Sequence, residues 1–172
     1  KLELAFEKCL ELYEDRSQPD VLLPVSREHH TSTTQWIRAH SAFIFQQASA
    51  ELREQFEDSL LMLFAKAQKG PNLAELKRFA ESFGSLEVAE LALFQLAERH
   101  LSMGDVHLAQ QIYLRLEKSS NLETRAASIA RISEIFHERG LERPALASDR
   151  MLGGEMGHVI CINGKTAKEC LK

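Results

Sequence analysis

Apolar residues recur at helical spacing over most of the chain. Residues 2–14, "LELAFEKCLELYE", set Leu2, Phe6, Cys9, Leu10 and Tyr13 on one side with carboxylates between them, which predicts an amphipathic helix. The stretch "DRSQPDVLLPVSREHHTSTT" breaks that period. Pro19 and Pro24 bracket "DVLL", so an extended linker with a short edge strand is expected there. Thr33 or Thr34 is the expected cap of a helix carrying Trp36, Ile37, Ala39, Phe43 and Ile44. A second long amphipathic stretch runs from about Ser49 to Lys69. "KGPN" should end it, with Gly70 at the position after the helix and a proline that cannot continue it.

Beyond Gly70 the pattern becomes regular. Asn72 is placed to cap "LAELKRFAESF", Gly84–Ser85 turns the chain into "LEVAELALFQLAERHLSM", and Gly104–Asp105 turns it into "VHLAQQIYLRLEK". Asn121 introduces "LETRAASIARISEIFHER", and Gly140 leads into "LERPALASDRM". Short turns of this kind make sequential helices antiparallel neighbours.

Gly70, Gly104 and Gly140 stand 34 and 36 residues apart. Seven positions before the last two are Ala97 and Ser133, each preceded by an aliphatic residue, Leu96 and Ile132. Leu93 and Ile129 lie eleven before, and Ala109 and Ala145 five after. Small residues at these points allow two helix backbones to approach closely, with Tyr113 filling the space against the next pair. The glycines would end the first helix of each pair in a conformation that a β-carbon disfavours.

These positions resemble the tetratricopeptide repeat, a 34-residue helix–turn–helix unit that stacks into a solenoid. Residues 90–122 match it at Leu93, Leu96, Ala97, Gly104, Ala109 and Tyr113. Residues 126–152 keep Ile129, Ile132, Phe136, Gly140 and Ala145, but carry Asp149 where the second helix usually offers an aromatic. Residues 53–83 keep Gly70 and Phe79. Other α-solenoids and an ordinary helical bundle remain open as readings of the same spacing. The resulting expectation is a mainly α protein, an antiparallel helix-pair (tetratricopeptide-like) solenoid with a short C-terminal β-hairpin. Its divisions are an N-terminal helix and linker at 1–32, a helical-repeat domain at 33–152, and the hairpin at 153–172.

After Gly153–Gly154 the helical period stops. Val159, Ile160, Cys161 and Ile162 run into Asn163–Gly164, a strong hairpin signal, and the preceding "DVLL" segment is the expected partner of this strand. "ICINGKTAKECL" resembles the blade-joining turn of quinoprotein-like (PQQ-like) β-propellers. Ala167 stands where a second glycine is usual, and the tryptophan that commonly ends the second strand is absent. Helical-repeat regions also occur in large bacterial envelope proteins with such propeller repeats. The resemblance therefore implies a segment of a longer cell-envelope or periplasmic polypeptide, with a propeller domain of the same chain as one partner.

A net charge of −4 over 172 residues gives no reason to expect nucleic acid. The longest apolar run, "SLLMLFAKA", falls far short of the ~20 residues that span a bilayer, so no membrane insertion by this segment is expected. The first residues do not resemble a signal peptide, and because the sequence starts on Lys1 rather than methionine, a cleaved signal or a trimmed start stays open.

Adjacent His29–His30 diverge in a polar linker, and His100 and His107 flank a turn without a third ligand; solvated histidines are the simpler reading. His158, Cys161 and Cys170 would converge in a hairpin, but a structural zinc site needs four ligands. A Cys161–Cys170 disulfide and two free thiols are both open. No haem-attachment, zinc-protease, nucleophile-elbow or phosphate-loop motif occurs. The expectation is no catalytic residue, no metal and no cofactor.

The leading functional expectation is a non-enzymatic protein–protein interaction or scaffold module with a protein or peptide partner. The other is a structural arm of a quinoprotein-like propeller enzyme whose active site lies outside this chain. On the repeat alignment Glu98 and Glu134 are equivalent sites on successive first helices, with Gln95 and Arg131 three residues earlier. These four, Gln95, Glu98, Arg131 and Glu134, are expected to line a concave, partly acidic groove suited to a basic or mixed-charge segment.

Overall fold

The computed structural model describes residues 1–15, 21–25, 29–70, 73–84 and 86–140. Among them are seven helices and one small sheet: α1 (Leu2–Glu14), β1 (Leu22–Pro24), β2 (His30–Ser32), α2 (Thr33–Gln47), α3 (Ala50–Lys69), α4 (Leu73–Ser82), α5 (Glu87–Ser102), α6 (Val106–Leu116) and α7 (Leu122–Glu138). The protein is mainly helical. The C-terminal hairpin, Ala145, Asp149, Cys161, Cys170 and the cap expected of Asn72 all lie outside the described residues. The chain divides into two compact units, Lys1–Leu93 and Phe94–Lys172.

In the first unit α1 packs on α2, and α4 packs on both α2 and α3. Phe6, near the start of α1, stacks on Phe56 of α3 with centroids 4.2 Å apart and meets Phe45, near the end of α2, edge-on. At the other end of α1, Tyr13 contacts Phe79 and Phe83. Arg78 of α4 lies over the Tyr13 ring, and its Nη2 donates to the carbonyls of Tyr13 and Asp15. A cation thus meets the acceptor-rich C-terminal end of α1, where the helix leaves carbonyls unbonded.

Leu22 and Leu23 of the "DVLL" segment form a short strand with Pro24, and it pairs with a strand close by in sequence. Leu22 pairs with Ser32, Leu23 with Thr31 and Pro24 with His30, antiparallel. Thr33 N donates to Val21 O and Val25 N to His29 O, so the odd-numbered residues of β1 face the ladder. Its other edge therefore carries Leu22 and Pro24. Proline has no N–H to give, as suits an edge strand; the pairing expected with the C-terminal strand lies outside the described residues.

Two helix ends differ from expectation. Ser32, not Thr33 or Thr34, caps α2: its hydroxyl accepts from Gln35 N. Thr33 is already helical, and its hydroxyl donates to Val21 O instead, tying the helix start to the hairpin. Gly70 ends α3 with φ −62° and ψ 139°, extended rather than left-handed. A proline follows it in the sequence, and the residue before a proline is disfavoured in the helical region. Ser49 and Asn121 cap α3 and α7 through their side chains as such residues should.

In the second unit Ala97, Ala109, Tyr113, Ile132 and Ile135 form the buried cluster, flanked by Phe94, Leu101, Val106, Ile112 and Phe136. The small residues among the described positions are buried: Ala97 and Ala109 are 0% exposed and Ser133 is 2% exposed. Leu93, Leu96, Ile129 and Ile132 are buried as expected, whereas Phe136 is only half-buried. Ile135 takes the deeper place, one residue earlier on the same turn of α7.

The turn between α5 and α6 uses its glycine as anticipated. Gly104 has φ 85°, its N–H donates to Leu101 O, and Asp105 N donates to His100 O at 2.8 Å. That pair of bonds closes the left-handed Schellman cap. Gly140 repeats the left-handed conformation, with φ 70° and its N–H on His137 O.

Candidate functional site

Three helices of the second unit bring their polar side chains to one place. Glu98 of α5 is the hub. Arg131 of α7 donates Nε to Glu98 Oε1 at 2.7 Å and Nη2 to Oε2 at 2.9 Å, a bidentate pair. Its Nη1 donates to Glu134 Oε2, also at 2.7 Å and one turn further along α7. Beneath them the Tyr113 hydroxyl of α6 donates to Glu98 Oε1 at 2.6 Å.

Each residue arrives there for a local reason. Tyr113 follows Ala109 by four positions on α6, and both point into the core, so the ring is fully buried while its hydroxyl reaches the polar margin. Glu98 follows Ala97 and so sits at the edge of the buried face of α5. Arg131 and Glu134 are three apart on α7, within reach of each other.

The electrostatics follow from that burial. Burial first, then the hydrogen bond to Glu98 and that carboxylate's charge, hold the Tyr113 phenol far above its ordinary range. Hydrogen bonds to Glu134 and Glu98 raise Arg131, against the opposing effect of its partial burial. One guanidinium faces two carboxylates, so a negative charge is left over. Glu98 already accepts three bonds. Glu134 is bonded through Oε2 and is 42% exposed, against 28% for Glu98.

Three of the four expected groove residues thus come together: Glu98, Arg131 and Glu134. Gln95 lies half-buried one turn earlier on α5, outside that network. Tyr113 was expected only as a space-filler. The repeat alignment, which set Glu98 and Glu134 at equivalent sites with Arg131 three residues before Glu134, was the signal that grouped these three. Nothing in the spacing of Tyr113 from Glu98 announced a bond.

The chain matches no known family model, no curated protein and no solved structure. Its site is therefore read from its own geometry. His29 and His30 are exposed, His100 Nδ1 is 3.4 Å from Asp105 Oδ2, and His107 contacts Gln111. Among the described residues no three or more His, Cys, Asp or Glu gather to hold a metal ion. Cys9 is fully buried, and burial pushes its thiol up to about 11, which suppresses the reactive thiolate. No helix of the described residues is long and apolar enough to cross a membrane.

Proposed function

We propose that the protein is a non-enzymatic interaction module of tetratricopeptide-like helix pairs, and that the α5–α7 polar face receives a basic segment of a protein partner. The observation that carries this reading is the Tyr113–Glu98–Arg131–Glu134 network. It is built from below, spans three helices, and leaves one carboxylate oxygen of Glu134 at a partly exposed surface with a net negative charge. The burial of Ala97, Ala109, Tyr113 and Ser133 supports the repeat reading, since these are the positions where such helix pairs need small residues or a filler. The resemblance of residues 160–171 to a propeller turn supports placing the module in a longer envelope polypeptide.

Binding of an array of short lysine- and arginine-bearing peptides to the purified chain tests the reading. Glu134→Lys should abolish capture of the basic members while leaving the circular dichroism spectrum in place and lowering the melting midpoint only slightly, since the pair it breaks is half-exposed. Undiminished capture by that variant would overturn the assignment of this face. Glu134 is the better probe because Glu98 also holds Tyr113 and Arg131, so reversing it would damage the packing as well.

A further inference from the structure

We draw no further inference here: the strongest candidate, the exposed apolar side chains of the first unit (Leu22 and Val25 at the hairpin and Phe43 on α2), carries nothing because no feature of the structure joins them into one surface or shows what covers them.

Discussion

At the scale of single residues, two glycines show how one residue type serves two different needs. An added β-carbon at Gly104 would meet nothing within 4 Å, so space is not the constraint; the φ of 85° is. Gly104→Ala should therefore cost about 1–2 kcal/mol, the penalty of a left-handed L-residue, and Gly104→Asn should recover part of it. A urea titration of the three proteins checks the order, and equal midpoints would mean the turn relaxes freely. Gly84 is the reverse case. Its β-carbon would lie 2.7 Å from Ala80 O, a backbone atom that cannot swing aside, so Gly84→Ala should destabilise through a clash. Both glycines were legible in the sequence as turn markers. Which need each one served was not, because φ and clearance depend on how the flanking helices enter the turn.

At the scale of elements, α5, α6 and α7 are joined by an apolar cluster and by the polar network at its margin. The two halves of this junction should respond differently to mutation. Ala97 sits fully buried in the cluster with Ala109 and Tyr113, so Ala97→Leu should cost ~1–3 kcal/mol by overpacking. Removing Glu98 strips the acceptor from a buried phenol and from two guanidinium N–H groups. Glu98→Ala should accordingly cost about 2–3 kcal/mol. Glu134→Ala touches only a half-exposed pair and should cost under about 1 kcal/mol. Amide exchange at Ala109 and Tyr113 reports these differences locally. Equal protection in the Glu98 and Glu134 variants would show that the network contributes nothing to packing. The apolar half of the junction was readable, because Ala97, Ala109, Ile129 and Ile132 follow from helical periodicity plus the glycine offsets. The polar half was readable only in part. The repeat period aligned Glu98 with Glu134, but it presented them as open to a ligand, and the structure engages Glu98 fully with Arg131 and Tyr113. Side-chain pairing across helices is set by three-dimensional register, which a one-dimensional period does not contain.

At the scale of the whole molecule, among the described residues each unit buries a group that resists ionisation: Cys9 in the first and Tyr113 in the second. Both are acids that become charged on losing a proton, and burial raises both. Well below pH 9, Cys9 is a neutral thiol whether the chain is folded or not, so it imposes no pH dependence on stability there. Between 9, its ordinary value, and about 11, its folded value, the unfolded chain ionises at this residue while the folded chain does not. Folding stability is therefore lost progressively as pH rises through that window. Tyr113 acts with the same sign at higher pH, since its phenol is also raised. Added negative charge on a chain that already carries −4 at neutral pH works in the same direction. The melting temperature should thus be nearly flat from pH 7 to 9 and fall between 9 and 11. Cys9→Ala isolates the first contribution. The variant starts from a lower midpoint because a buried side chain is lost, but its decline between pH 9 and 11 should be shallower than the parent's. Parallel declines in the two proteins would show that the Cys9 thiol titrates at its ordinary value, and hence that water reaches the core formed by α1 and its neighbours.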